Sequence, residues 1–219
     1  QARVQKWSKK ELLDILSNQQ APMTLRELYQ ASGYPKSTIY ALLSTLRAYG
    51  CIRQESDGRY YLGTKLFQWG CSVSASWDIT RLARPYLERL ARDTGSTALL
   101  SRVEGSSITV IDQCVSGAGI RVASEMGSHV SLYATSQGKL LLASLSDSAV
   151  RRLIPEGKLQ AFTPHTLTDL PALLADLERI RTQGYAIENG EYKIGLRSVS
   201  APVYSRENDI AYIVSAVGL

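Results

Sequence analysis

The stretch from Thr24 to Tyr49 constrains this chain most, because it predicts two short helices separated by a tight turn. The sequence TLRE that begins at Thr24 is a capping box, in which the Thr24 hydroxyl accepts from the backbone N–H of Glu27 and the Glu27 carboxylate reaches back. The helix that this box opens is predicted to end near Gly33. A second helix is predicted to open at Pro35, since the fixed φ and missing N–H of proline suit the first helical position.

The second helix has two faces of different chemistry. Apolar residues recur at helical spacing on one side and are Ile39, Leu42, Leu43 and Leu46. Small, polar and basic residues form the other side and are Lys36, Ser37, Thr38, Tyr40, Ser44 and Thr45. A short helix, a glycine turn and a helix with such an outer face are typical of a helix-turn-helix, which places its second helix in the major groove of DNA.

The distribution of charge favours the same interpretation. The first 65 residues carry ten Lys and Arg against five Asp and Glu, so the whole formal net charge of +5 lies there and the remainder is neutral. A basic segment joined to a neutral one indicates a polyanion-binding module attached to a second module. A bias of this size is also common on an ordinary solvated surface, so its weight comes from its coincidence with the helix-turn-helix pattern.

Two short β-prone runs follow the second helix. Residues 51–54 and 59–62 are joined through Asp57-Gly58, a strong hairpin signal. Three helices and this hairpin predict a winged helix-turn-helix domain over residues 1–63. On the wing, Arg59 either reaches a phosphate or the minor groove, or is an ordinary surface arginine.

The remainder of the chain predicts a linker and a second domain. Residues 64–77 predict a linker helix whose aromatic side chains need a packing partner. From residue 78 to 219, helices and antiparallel hairpins predict an α+β domain with a sheet covered on one face by helices. In this domain we predict helices that begin at residues 78, 133, 147 and 168, and strands over 97–103, 108–115, 120–124, 198–204 and 210–217.

Composition narrows the class of protein. A hydrophobic fraction of 44% and a charged fraction of 21% are typical of globular proteins, and no apolar run reaches the length of a membrane span. The three cysteines, Cys51, Cys71 and Cys114, have neither a disulfide framework nor zinc-site spacing, which indicates a reducing cytoplasm. We therefore expect a cytoplasmic protein with no metal site, no cofactor and no membrane partner.

An enzyme finds little support in the sequence. The run around Ser198 lacks the Gly-x-Ser-x-Gly elbow, and SQGKLL lacks the first glycine and the Ser or Thr of a phosphate-binding loop. Glu188 and Glu191 could form a carboxylate pair, but two acids in a loop are expected to face solvent. The sequence therefore favours a protein that is not an enzyme.

Four segments in order resemble the IclR family of bacterial transcriptional regulators. Residues 24–52 resemble its helix-turn-helix, 58–70 its wing and linker, and 127–143 and 180–203 its two signatures in the second domain. The resemblance implies a winged helix domain, a linker helix and a GAF-like effector domain over 78–219, with a C-terminal helix that would follow Leu219. It also implies homodimers or tetramers on double-stranded, pseudo-palindromic DNA. The implied effector is a small molecule, commonly a carboxylic acid, an aromatic compound or a sugar acid.

The resemblance also implies the residues of an effector site. The turn Ser136-Gln137 would offer backbone N–H groups at a helix start, which favour a carboxylate. Polar contacts would come from three positions. Glu188 falls where the family often has an acidic residue, Ser198 where many members have cysteine, and Ser215 where a hydroxyl residue often meets the effector. Apolar walls would come from Val122, Val130, Leu196 and Val217. Ser198 and Ser215 alternate with apolar residues on strands, so each could equally be a packing residue.

The recognition helix departs from the family at Ala41, where many members have arginine. Base contacts would then come from Ser37, Thr38, Tyr40 and Ser44, with Lys36 or Arg47 on phosphate. Two hypotheses remain: a DNA-binding transcriptional regulator controlled by a small metabolite, and a metabolite sensor that acts through protein contacts without specific DNA binding. DNA binding that weakens steeply with salt would distinguish the first from the second.

Overall fold

The computed structural model describes residues 8–19, 21–75, 78–115, 130–155 and 157–219. The chain forms two compact units, Gln1–Trp77 and Asp78–Leu219. The predicted strand over 120–124 lies outside the described residues. Within the described ranges, every helix is too short or too polar to cross a bilayer.

In the part of the first unit that the structure describes there are four helices and one hairpin. Its elements are α1 (Lys9–Asn18), α2 (Leu25–Ser32), α3 (Lys36–Ala48), β1 (Ile52–Gln54), β2 (Tyr60–Leu62) and α4 (Thr64–Ala75). The predicted capping box forms: the N–H of Glu27 donates to Thr24 Oγ1 over 3.3 Å, and the N–H of Thr24 donates to Glu27 Oε2 over 2.7 Å. Gly33 ends α2 with a φ of 68°.

The start of α3 differs from the prediction by one residue. Pro35 is the residue before the helix rather than its first member, because its ψ of 140° is extended. Its carbonyl accepts from the N–H of Ile39 over 3.0 Å, so proline still fixes where the helix begins. The two glycines Gly50 and Gly63 then meet closely: a Cβ on Gly63 would lie 2.1 Å from the Gly50 oxygen.

The described residues of the second unit form a five-stranded antiparallel sheet and its helices. Its helices are α5 (Asp78–Thr94), α6 (Ser136–Ala143), α7 (Asp147–Leu153) and α8 (Leu170–Gln183). Its strands are β3 (Thr97–Glu104), β4 (Ser107–Cys114), β5 (Ala186–Asn189), β6 (Arg197–Tyr204) and β7 (Ile210–Gly218), in the spatial order β4-β3-β7-β6-β5. The short edge strand β5 was not predicted.

Helices lie on both faces of this sheet rather than on one. Arg84 of α5 pairs with Asp112, which lies opposite Leu100 in the ladder. The α6 side faces Ser215, which lies opposite Leu99. Successive residues of a strand point to opposite faces, so the side chains of Leu99 and Leu100 lie on opposite faces of the sheet. α6 therefore packs on the Leu99 face and α5 on the Leu100 face.

Capping side chains set the starts of two helices. α6 begins at Ser136 rather than at residue 133, because Thr135 Oγ1 accepts from the N–H of Gly138 over 3.1 Å and residues 132–134 form a turn. α8 begins after Asp169 rather than at residue 168, because Asp169 accepts from the N–H of Ala172 over 2.9 Å. Between these helices and the sheet lies a core that includes Leu140, Leu142, Leu173, Leu177, Ile180 and Ile213.

Candidate nucleic-acid interface and effector site

Helix α3 exposes its polar face, as predicted. Ile39, Leu43 and Leu46 are buried in the core of the first unit. On the outer side Tyr40 is 59% exposed, the largest side chain there. Of the other predicted contact residues on α3, Lys36, Ser37, Ser44 and Arg47 are exposed, and Thr38 is half-buried.

Two cations of α3 are oriented by neighbours. The Lys36 ammonium lies 5.6 Å from the centroid of the Tyr29 ring on α2, within cation–π range. Arg47 donates to Gln54 Oε1 over 3.2 Å, and the amide of Gln54 donates to the carbonyl of Gly58 over 3.2 Å. The last turn of α3 is therefore tied to the wing by side chains.

Arg59 has partners inside the unit. Its Nη1 donates to the carbonyl of Pro22 over 2.8 Å and to Glu27 Oε2 over 3.3 Å. Hydrogen bonds from Thr24 hold the pKa of Glu27 below its ordinary value, and the charge of Arg59 adds to that effect. A second wing cation, Arg53, was missed by the sequence analysis: it stacks 4.4 Å from the Tyr61 ring centroid.

The predicted polar residues of the effector site lie together at the start of α6. Ser136 Oγ lies 2.7 Å from Ser198 Oγ and 2.7 Å from Ser200 Oγ. Ser200 Oγ lies 2.8 Å from Ser215 Oγ, its cross-strand partner on β7. All four hydroxyls are buried. Ser200 was missed, although its spacing of two from Ser198 is the signal for a shared face of a strand.

Glu188 continues this serine cluster and is 1% exposed. Its Oε2 accepts from Ser198 Oγ over 3.2 Å, and its Oε1 accepts from the N–H groups of Glu191 and Tyr192 over 2.7 and 3.2 Å. The expectation that Glu188 and Glu191 face solvent in a loop is wrong. Glu188 lies on β5 opposite Ser198, and Glu191 is buried against Lys139.

Backbone geometry also brings the first turn of α6 close to the turn before it. A Cβ on Gly138 would lie 2.1 Å from the Ser131 oxygen, so only glycine permits this approach. The amides of Ser136 and Gln137 belong to this first turn, where helical N–H groups have no intrahelical acceptor. Such amides, together with the helix dipole, favour an anion.

Apolar residues flank the polar cluster. Leu99, Val110 and Val217 form a small buried group, and Val130 and Leu196 pack against it. Three of the four predicted wall residues are thus brought together. The fourth, Val122, lies outside the described residues.

Lys139 is a buried cation that the sequence analysis missed. It is 1% exposed, and its Nζ lies 2.9 Å from Asp176 Oδ2 and 2.6 Å from Glu191 Oε1. Burial raises the pKa of Glu191, and the hydrogen bond and charge of Lys139 oppose this rise. Within the described ranges, three buried oxygens have no hydrogen-bond partner and are Ser101 Oγ, Gln137 Oε1 and Glu191 Oε2.

An open groove of about 470 Å³ runs beside this site. It is lined by residues 130–133 and by the rings of Phe162 and Tyr192, and Val130 is its one predicted member among the described residues. The serine cluster does not line it. The buried polar groups, rather than the volume of this groove, therefore identify the candidate site. Among the residues that the structure describes, no group of His, Cys, Asp and Glu is arranged to hold a metal ion.

Comparison with known families matches both units. Residues 11–56 match the family described as the IclR helix-turn-helix domain, and residues 71–219 match the bacterial transcriptional regulator IclR C-terminal family. The chain is 32% identical over 206 residues to the HTH-type transcriptional regulator XynR of Escherichia coli strain K12, which covers 94% of this chain and 82% of that protein.

Solved structures agree with these matches. An IclR transcriptional regulator from Alicyclobacillus acidocaldarius superposes with a TM-score of 0.83 at 28% identity, over 96% of this chain and 86% of the other. An IclR homolog from Microbacterium hydrocarbonoxydans, complexed with 4-hydroxybenzoate, has a TM-score of 0.76 at 20% identity, over 95% of this chain and 86% of the other. At that identity the likeness concerns the fold alone.

Proposed function

The chain belongs to the IclR family of bacterial transcriptional regulators, and from this premise we propose that it binds a two-fold-symmetric operator as a homodimer or tetramer. A small organic carboxylate bound in the second unit controls that binding. The observation that carries the proposal is that one chain combines an exposed polar helix, α3, on a basic unit with a buried hydroxyl cluster at the start of α6. The protein acts in the cytoplasm, where it meets the chromosome.

On the DNA side, α3 enters the major groove. Tyr40, Ser37, Thr38 and Ser44 contact base edges, while Lys36 and Arg47 contact phosphates. Exposure of this face and the cation–π contact under Lys36 support the assignment. Arg59 was also predicted to contact DNA, but here its hydrogen bonds to Pro22 and Glu27 hold the wing in position.

On the effector side, the amides of Ser136 and Gln137 bind the carboxylate. Ser198 and Ser215 offer hydroxyl groups, and Glu188 accepts from a hydroxyl of the ligand. Val130, Leu196 and Val217 supply apolar walls of the kind that a small-molecule site needs. The hydrogen bonds among the serines support this assignment. A serine hydroxyl can rotate away from another serine and bond to an oxygen of the ligand instead.

Coupling between the two sites runs through the linker at residues 64–77. The effector must bind two arrangements of the DNA-binding units with different affinity, because a ligand with equal affinity for both shifts nothing. The aromatic side chains of α4, Phe67 and Trp69, are exposed within the described chain and supply a surface for a second copy.

Selection of bound duplexes from a random DNA library at moderate salt tests the proposal. We expect enrichment of a two-fold-symmetric site whose half-site centres lie about 34 Å, or a multiple of it, apart. Failure to enrich any site would instead favour the metabolite sensor that acts through protein contacts.

Removal of the Lys36 charge locates the interface on α3. Lys36→Ala should weaken binding to all sequences alike and lower the slope of log affinity against log salt by about 1, because one fewer counterion is released. The matched control is Lys158→Ala, which removes the same charge from an exposed position on the second unit. If both variants have the same DNA affinity and salt dependence, α3 is not part of the DNA interface.

A further inference from the structure

A buried ion cluster lies next to the candidate effector site and is not explained by stability alone. Lys139 of α6 lies between Asp176 of α8 and Glu191, at 2.9 and 2.6 Å. Arg179 pairs with Asp176 from the exposed side, so the cluster contains two cations and two carboxylates. Apolar side chains of similar volume are often as stable as a buried ion pair, so this cluster calls for a second reason.

That reason is visible in how the cluster is connected. From Lys139, the ion pair leads to the Glu191 carboxylate. The N–H of Glu191 donates to Glu188 Oε1, and Glu188 Oε2 accepts from Ser198. Ser198 then bonds Ser136, one helical turn before Lys139 on α6. These bonds form a closed ring that joins the first turn of α6 to β5 and β6.

Two threonines fix the same segment from its other side. Thr163 Oγ1 donates to the carbonyl of Gly190 over 2.6 Å, and Thr166 Oγ1 donates to the carbonyl of Glu191 over 2.6 Å. The backbone after β5 is therefore held by the threonines, and the Glu191 side chain is held by Lys139. A change in the position of α6 relative to Glu188 must break one of these bonds.

We propose that Lys139, Asp176 and Glu191 are positioning residues for the effector. They hold the first-turn amides of α6 at a fixed distance from Glu188 and do not touch the ligand themselves. Asp176 extends this control to α8, so the effector site and α8 move as one body. The inference rests on the proposed effector function of the second unit.

Hydrogen exchange of the whole chain, followed by mass spectrometry, tests the ring without any ligand. Glu191→Gln keeps the size and the N–H of residue 191 but removes the charge that pairs with Lys139. The connection between α6 and residue 191 should therefore weaken locally, while the unit as a whole keeps its stability. We expect amides of residues 136–138 and 190–192 to exchange at least tenfold faster, with β3 and β4 unchanged. The matched control is Glu178→Gln, which removes an exposed carboxylate of α8 that pairs with Arg181.

Ligand affinity gives the second readout. Lactate, 4-hydroxybenzoate and gluconate, which represent simple, aromatic and sugar acids, are titrated into the unaltered protein, and the tightest binder is then used on the variants. Glu191→Gln should bind it roughly tenfold more weakly, as expected when a hydrogen bond to a charged group is misplaced, and Glu178→Gln should bind it normally. Glu191→Asp, which keeps the charge on a shorter side chain, should also lose affinity while it keeps the global exchange pattern.

Unchanged local exchange in Glu191→Gln would overturn the proposal. Unchanged affinity in this variant for an acid that binds the unaltered protein would overturn it as well. Faster exchange throughout the second unit in both Glu191 variants would show a general stabilising role and would also overturn it. If none of the three acids binds the unaltered protein, the proposed effector chemistry fails for them, and the exchange pattern alone still decides whether the cluster positions α6.

Discussion

Each unit uses a glutamate to fix the elements of its candidate site, but in opposite surroundings. Glu27 closes the cap of α2 and meets Arg59 of the wing at a half-exposed position. Glu191 joins α6 to the segment after β5 in the interior. In the first case hydrogen bonds lower the pKa of the carboxyl group, and in the second burial raises it. The same type of side chain therefore completes a helix cap and meets a wing cation in one unit, and pairs with a buried cation in the other.

The largest expected effect comes from breaking the buried cluster. Lys139→Met leaves Asp176 and Glu191 buried without their shared cation, which should reduce the free energy of unfolding of the second unit by about 3–5 kcal/mol. The loss in free energy of unfolding is measured by denaturant titration. Each unit is monitored separately through the hydrogen exchange of β7 and of α3. Lys158→Met, at an exposed lysine, should leave both units unchanged; an equal loss in the two variants would refute the comparison.

A smaller effect is expected at the half-exposed cap of α2. Thr24→Ala removes the acceptor for the N–H of Glu27 and should destabilise the first unit by about 1 kcal/mol, the usual cost of a lost helix cap. The same denaturant titration reports it. Thr45→Ala is the matched control, because the Thr45 hydroxyl bonds back to the Ala41 carbonyl within α3 and caps nothing. A loss of stability in the second unit of the Thr24 variant as well would contradict a local effect of the cap on the first unit.

The smallest expected effect is a difference in how the stability of the two units changes with pH. Protonation of Glu27 removes only part of the cap of α2, so the change is small. The pKa of Glu27 lies below its ordinary value of 4.5, so its stabilisation is present above pH 4.5 and is lost as the pH falls through the lowered pKa. The pKa of Glu191 lies above 4.5, so the stability gained by its protonation is complete below pH 4.5 and is lost as the pH rises through the raised pKa. The groups that face Glu191 are Lys139, Asp176 and Glu188.

Hydrogen exchange of each unit between pH 3 and pH 6 measures these two responses, once the intrinsic pH dependence of exchange is subtracted. The first unit should lose protection on acidification, whereas the second should gain it. Glu27→Gln and Glu191→Gln should each flatten the response of their own unit alone. Parallel curves for the two units in the unaltered protein would show that the surroundings of the two glutamates do not matter.

The difference between the units also explains what could be predicted from the sequence. The capping box, the Gly33 turn and the Asp57-Gly58 hairpin depend on partners within a few residues, so their pattern is visible along the chain. Lys139 meets partners 37 and 52 positions away, and nothing local marks it as a buried cation. Edge strand β5 has four residues and two polar side chains, too little for a period of two to appear.

The proposed effector residues fall between these cases. Ser136, Glu188, Ser198 and Ser215 were predicted from family resemblance. The strand registers place Glu188, Ser198 and Ser215 near one another, and hydrogen bonds connect Ser136 to the same strands. Ser200 was missed because the resemblance did not single it out, although it completes the hydrogen bonds between its neighbours. α6 and α8 begin a few residues later than predicted. In each, a capping side chain, Thr135 or Asp169, accepts a hydrogen bond from an N–H group of the first turn and so sets the start of the helix.

The contact at Gly138 limits how this protein could be retuned. A side chain there would collide with the Ser131 backbone, so the start of α6 must stay in place whatever compound the protein is asked to recognise. The positions left to vary are on the sheet, where the hydroxyl groups of Ser198, Ser200 and Ser215 lie. If the start of α6 binds a carboxylate as proposed, a biosensor library should keep Gly138 and randomise these three strand positions.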